Sequence, residues 1–321
     1  MATFFDGFEQ FGNNDRPDQL LRLAGYTLNG AVTVAGGRKG GGSSLTTYRS
    51  NFQRAWTFSG NAMSIGFAVK MDARGPLIAI RKGTTAMLVW SDPETGLVNI
   101  GTSLATGNPG YVNPLKDRWY YFEIEMTKND SAFKLYVNGR LDQTYPLNGN
   151  INGDLIIEYN PYTLFEGSDF GSDTGTRIFD DIYLSDSARI QPIQVTTRFP
   201  TADSEPLDWS FTGAASHWQA VGQLPPDMLD KFIYTAKDGA TDQFTSAAAL
   251  PDTNPIRYLQ MMALFRKATS DPMDLIFNID DQKVTQSNIP KDWTFRYMPF
   301  NASGYTAGNI GAAKFGAQLD L

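Results

Sequence analysis

The apolar positions of the first 195 residues fall in short runs, repeatedly interrupted by Gly, Pro, Asn and Asp. In 118–126 (RWYYFEIEM), Tyr120, Phe122, Ile124 and Met126 share one face of a strand, and Trp119, Tyr121, Glu123 and Glu125 share the other. This follows from the two-residue period of the pleat. The next run, 132–138 (AFKLYVN), sets Phe133, Leu135 and Val137 against Lys134, Tyr136 and Asn138. The polar stretch 127–131 joins the two strands. Asn138-Gly139 closes the following hairpin, because both residues tolerate the positive φ of a type I′ turn. Further strands are predicted at 63–71, 76–82, 86–90, 97–101, 153–159 and 177–185. An opening strand is predicted where Phe4, Phe5, Phe8 and Phe11 surround Asp6-Gly7. No helix is predicted before residue 195.

Gln191 to Thr197 has the look of a linker, and with Pro192 and Pro200 it reads as a stiff, extended connector. It divides the chain into domains at 1–195 and 196–321. In the second, strands are predicted at 231–236, 257–267, 274–279, 292–298 and 313–321. The run 257–267 (RYLQMMALFRK) is long enough for a helix. Its alternation, Tyr258, Gln260, Met262 and Leu264 against Leu259, Met261, Ala263 and Phe265, favours a strand.

Composition supports an all-β class. Of 321 residues, 30 are Gly, 21 Phe and 14 Tyr, a mixture of turn formers and strand formers. The net charge of −7 is spread along the chain and repels phosphate backbones, so no direct nucleic-acid binding is expected. With no cysteine and a single histidine, His217, thiolate chemistry and multi-histidine metal sites are excluded. His217 is read as a loop residue beside Trp218. Gly36 to Gly42, which contains Arg38 and Lys39, lacks the Gly-Lys-Ser/Thr of a phosphate loop. The opening MATFFDGFEQF has no basic region or long apolar run, so no signal peptide is expected. No stretch approaches the roughly eighteen apolar residues of a membrane span, and no membrane insertion is expected.

Trp119-Tyr120-Tyr121-Phe122-Glu123-Ile124 and Phe133-Lys134-Leu135-Tyr136-Val137-Asn138-Gly139 resemble the central hairpins of concanavalin-A-like and laminin-G-like jelly rolls. Phe179-Asp180-Asp181-Ile182-Tyr183-Leu184 resembles a late strand of that fold. In the second domain, three features are similar to C-terminal domains of tailed-bacteriophage virion proteins. They are Phe199-Pro200-Thr201-Ala202-Asp203 with Asp208-Trp209 and Trp218, the run Arg257 to Lys267, and the ending Ala313 to Leu319. The resemblance implies a jelly-roll sandwich followed by a smaller β-sandwich or barrel. It also implies a structural place in a phage particle assembled in the host bacterial cytoplasm. A tail-tip, baseplate or fibre position comes first and head decoration second. The implied partners are other virion proteins, copies of the chain in a symmetric homo-oligomer, and a host-surface glycan.

Three constellations carry candidate chemistry. Glu123 and Glu125 lie on one strand face with Cα atoms roughly 6.5–7 Å apart, against about 5–5.5 Å between the carboxyl groups of retaining glycosidases. Jelly-roll glycosidases carry a Glu-x-Asp-x-x-Glu-like strand. Here the middle acid is Glu125 and the last is replaced by Lys128, so the expected reading is a solvated face whose acids are offset by Lys134. Asp169, Asp173, Asp180 and Asp181, with Ser168 and Ser172, offer oxygens of the kind calcium takes, or equally turn residues that bond their own backbone. Trp90, Tyr111, Trp119, Tyr159 and Tyr162 are candidate sugar-stacking rings, or alternatively core. The expected role is binding and assembly without catalysis and without an obligatory cofactor. The alternatives are a carbohydrate-binding lectin and a glycan hydrolase using Glu123 and Glu125.

Overall fold

The computed structural model describes residues 3–12, 17–38, 42–127, 132–146, 153–165, 175–246 and 254–321. It divides into two compact units, Met1–Thr196 and Thr197–Leu321.

In the first unit the strands are β1 (Thr3–Asp6), β2 (Tyr26–Asn29), β3 (Val32–Gly36), β4 (Ser43–Thr47), β5 (Asn51–Phe58), β6 (Ala62–Met71), β7 (Gly75–Lys82) and β8 (Thr85–Ser91). They continue with β9 (Val98–Gly101), β10 (Asn108–Pro109), β11 (Trp119–Thr127), β12 (Ala132–Val137), β13 (Arg140–Pro146), β14 (Gly153–Tyr159) and β15 (Arg177–Ser185). One sheet runs β13-β12-β11-β6-β15-β4-β3, with β1 also paired to β15. The other runs β10-β9-β8-β7-β14-β5-β2. The result is an all-β sandwich of the jelly-roll kind.

The two inner faces meet through aromatic rings. Phe67, Phe122 and Phe179 come from the first sheet, and Phe52 and Tyr159 from the second. Phe52 stacks on Tyr159 at 4.7 Å and Phe67 on Phe122 at 5.6 Å, while Phe179 meets Phe52 edge-on at 5.4 Å. Such ring pairs add about 0.5–1.5 kcal/mol each beyond their buried area. Phe8 and Phe11, predicted to belong to the opening strand, follow it in a 3-10 turn, both fully buried. The turn Asn138-Gly139 has φ of 50° and 82°, as the hairpin geometry requires.

Two expectations are corrected. A short helix α1 (Asp18–Leu23) follows Pro17 and buries Leu20 and Leu21. Its six residues are too few to display a helical period. The outer face of β11 is not solvated. Residues after β15 fold back over it, so that Tyr121, Tyr183, Ala68 and Ile190 form a buried cluster with Phe5, Trp119 and Ile193 against it. The extended stretch before Thr196 is bonded to the sheet.

Arg177, at the start of β15, is fully buried. Its guanidinium donates to the carbonyls of Pro76 (3.1 Å), Arg74 (2.6 Å), Ala73 (3.4 Å) and Gly175. It thereby fastens the turn by which the chain passes from β6 in one sheet to β7 in the other.

The second unit contains β16 (Ala202–Leu207), β17 (Ser210–Thr212), α2 (His217–Val221), β18 (Phe232–Tyr234), β19 (Thr241–Thr245) and β20 (Leu259–Phe265). It ends with β21 (Asp274–Ile279), β22 (Gln282–Gln286), β23 (Thr294–Phe300) and β24 (Phe315–Asp320). Its main sheet is ordered β16-β19-β24-β21-β22, with separate pairs β17-β18 and β20-β23. Residues 257–267 therefore contain a strand. Phe265, Met298 and Phe300 of the β20–β23 pair share a core with Leu275, Phe277, Ile279 and Leu319 of the main sheet.

Candidate functional site

Glu123 is completely buried. It pairs with Gly66 on β6, and Gly66 pairs with Tyr183 on β15, which makes one rung across three strands. A Cβ at Gly66 would stand 2.0 Å from the Tyr183 ring. Only glycine leaves room for that ring to cross β6 and bring its hydroxyl to Glu123 Oε1, to which it donates at 2.9 Å. Oε2 receives Arg189 at 2.8 Å. Glu125 accepts the Tyr136 hydroxyl at 3.0 Å and the Arg189 backbone N–H at 3.1 Å. The Arg189 guanidinium also lies 4.0 Å from the centre of the Tyr136 ring. Burial raises the Glu123 carboxyl above the usual carboxylate range, while Arg189 and Tyr183 pull it back down. Both Glu123 oxygens are occupied and enclosed, so neither can meet an anomeric carbon. The pair is a fastening for the returning segment rather than the solvated face the pattern suggested.

The aspartates divide. Asp169 and Asp173 lie outside the described residues. Asp180 and Asp181 are buried, and their oxygens are directed at N–H groups. Asp180 accepts the backbone N–H of Asp181 (2.7 Å) and of Arg38 (2.8 Å). Asp181 accepts Val195 N–H at 2.7 Å and pairs with the Arg38 guanidinium at 2.6 Å. Arg38 donates in turn to the Ile193 carbonyl and lies 5.4 Å over the Tyr121 ring. This arrangement ties the stretch 193–195 to the sheet. Among the described residues, no three His, Cys, Asp or Glu side chains gather as a metal site.

Burial, and then the Asp181 charge, push the Asp180 carboxyl up to about 7. The folded state therefore holds this proton more tightly than the unfolded chain, whose reference value is 3.8. The group's contribution to stability is fully present in acid and is lost as the pH rises from about 4 through about 7. Asp180→Asn is expected to flatten part of the fall in melting temperature between pH 5 and 8. Melting curves of both proteins across that range check this, and parallel slopes would refute it.

Of the aromatic candidates, Trp90 and Tyr159 are core. Trp90 is packed with Ala79 and Leu88, and Tyr159 is packed between Phe52, Phe67 and Phe179. Neither presents a ring face to solvent. Trp119 is half-buried under the returning segment, with the Lys70 ammonium 5.7 Å from its ring. Tyr162 is half-buried in a 3-10 turn. Tyr111 is 90% exposed.

Tyr111 stands in an open groove of about 500 Å³ at one end of the sandwich, together with Val112, Tyr120, Asn138, Arg140 and Leu141. The groove owes its shape to a β-bulge in β13. Gln143 pairs with Leu135 and Leu141 with Tyr136, so Asp142 is the extra residue. Bulges re-aim side chains at sheet edges in this way. Asp142 turns inward, only 4% exposed. Its Oδ1 accepts the backbone N–H groups of Tyr111 (2.9 Å) and Val112 (3.0 Å), and its Oδ2 accepts Gln143 Nε2 at 3.2 Å. Gln143 also donates to the Val98 carbonyl. Gly110 packs so closely that a Cβ there would stand 1.8 Å from Asp142 Oδ2. Gly110→Ala is expected to lower stability by about 1–3 kcal/mol, a loss readable in urea denaturation. An unchanged midpoint would show that the carboxylate moves freely.

In the second unit, His217 opens α2 instead of lying in a loop. Its Nδ1 is 2.5 Å from Asp242 Oδ2, and its ring packs on Phe211 at 4.6 Å. Asp242 is fully buried and also accepts Trp209 N–H.

A scan against protein-family models gives no match, and no curated protein matches the sequence. Solved structures do match. One is a sialidase, at 12% identity over 57% of this chain with a TM-score of 0.41; the match spans 18% of the sialidase's length. Another is domain 4 of AbnA, an extracellular arabinanase from Geobacillus stearothermophilus, in complex with arabinotriose (14% identity, 51% of this chain, 82% of that one, TM-score 0.36). A third is a heptameric pentraxin from Limulus polyphemus (10% identity, 52% of this chain, 78% of that one, TM-score 0.32). At these values the likeness carries nothing about activity or ligand.

Proposed function

We propose that the chain is a recognition and assembly component of a tailed-phage particle, at its tail tip, baseplate or fibre, whose first unit binds a surface carbohydrate through the Tyr111 groove. The observation that carries the binding part is an aromatic ring left 90% exposed in a groove with exposed Leu141, its backbone bonded to Asp142. An exposed ring next to hydrogen-bonding groups suits the apolar face of a sugar. The placement on a phage particle rests on the motifs around Phe199 to Asp203, Asp208-Trp209 and Ala313 to Leu319. Hydrolysis by Glu123 and Glu125 is disfavoured, because both Glu123 oxygens are bonded inside the fold.

The test is a pull-down of the purified protein on whole bacterial cells, with its solution mass measured in parallel. Saturable adhesion lost in Tyr111→Ala, by a protein that forms a symmetric oligomer, is the expected result. Adhesion unchanged by Tyr111→Ala would remove the groove from the reading. A monomer that ignores cells would remove the adhesin role.

A further inference from the structure

The groove is one-sided in its hydrogen bonding. Its acceptors are already engaged: Asn138 Oδ1 takes Tyr121 N–H at 2.9 Å, and both Asp142 oxygens are bonded to the protein. The Tyr120 hydroxyl oxygen takes Leu115 N–H at 3.0 Å, which leaves its own O–H to donate outward. Among the described residues, the Asn138 Nδ2 amide and the Arg140 guanidinium have no protein partner, and Arg140 is exposed. A ligand settling against Tyr111 therefore meets donors, one of them a charged planar fork. The one acid of the lining, Asp142, is turned inward and 4% exposed, so Arg140 is the charge the ligand faces.

We propose that the groove selects a carboxylated saccharide, with Arg140 pairing the sugar carboxylate while Tyr111 stacks on the ring. The inference rests on the carbohydrate-binding reading above and narrows it to a ligand class. The guanidinium fork matches a planar carboxylate with two parallel hydrogen bonds, which a neutral sugar hydroxyl cannot reproduce. Tyr111 contributes contact area independent of charge. Arg140 thus sets the preference and Tyr111 the affinity common to all sugars. Because the pair is at the surface, the preference weakens as salt is added.

The test is calorimetric titration of the full chain with a galacturonic acid trisaccharide and with a neutral galactose trisaccharide, at low and high salt. The acidic probe is expected to bind about tenfold or more tightly, an advantage lost in high salt. Arg140→Gln should remove the advantage of the acidic probe, bringing the two affinities together. Tyr111→Ala should weaken both. Circular dichroism melting confirms that each variant is folded. Equal affinities in the unaltered protein, or an acidic preference that survives Arg140→Gln, would overturn the ligand class while leaving the carbohydrate reading in place. Binding of neither trisaccharide would overturn both.

Discussion

Glu123→Ala is expected to destabilise the first unit by about 3–5 kcal/mol, the usual cost of removing one partner from a buried ion pair. Arg189 would lose the carboxylate its guanidinium is paired with, and the Tyr183 hydroxyl would lose its acceptor over Gly66. Glu123→Gln keeps one acceptor oxygen and the shape of the side chain. It should cost less, about 1–3 kcal/mol. Chemical denaturation of the three proteins gives both values. A catalytic carboxylate behaves in the opposite way, since its amide variant loses turnover with little change in stability. A Glu123→Ala protein as stable as its parent would mean that the network is incidental and would return the two glutamates to the list of candidate acids.

The second large effect is expected at Arg177. Arg177→Met keeps most of the volume of the side chain but deprives four carbonyls, those of Ala73, Arg74, Gly175 and Pro76, of their donor. The bond to Pro76 is buried and the other three are partly so; a buried acceptor left without a partner costs about 1–3 kcal/mol, so a loss of about 2 kcal/mol or more is expected from the set. Amide exchange should accelerate first around 73–76, where the chain crosses between the sheets. An unchanged midpoint would mean that the four carbonyls find other donors.

The strands legible in the sequence were those whose residues alternate or run apolar. Residues 153–159, 177–185 and 274–279 are strands with the expected limits. β4 (SSLTT), β19 (TDQFT) and β22 (QKVTQ) went unseen because their own side chains carry little pattern and their pairing is decided by neighbouring strands. The burial of Glu123 was illegible for a different reason. The segment that covers it comes from the far side of β15, and a two-residue period says which side chains share a face but not what lies on that face. Trp90 and Tyr159 show the same limit, since an aromatic on a strand reads alike as core or platform until its neighbours are known. Tyr111 could be singled out by residue type. The groove beside it could not, because it depends on one extra residue in β13.

That extra residue also bears on how molecules of this chain behave at close quarters. β13 ends one sheet opposite β3, and β10, only two residues long, ends the other opposite β2. A flat outermost strand with free N–H and C=O groups is a template on which a neighbour can zip. Here the kink at Asp142, Pro146 at the far end of β13 and Pro109 in β10 interrupt that run at one margin of each sheet. The margin that shapes a binding groove is thus also poorly suited to fusing with another sheet, which leaves β3 and β2 as the edges at which copies of the chain could pair.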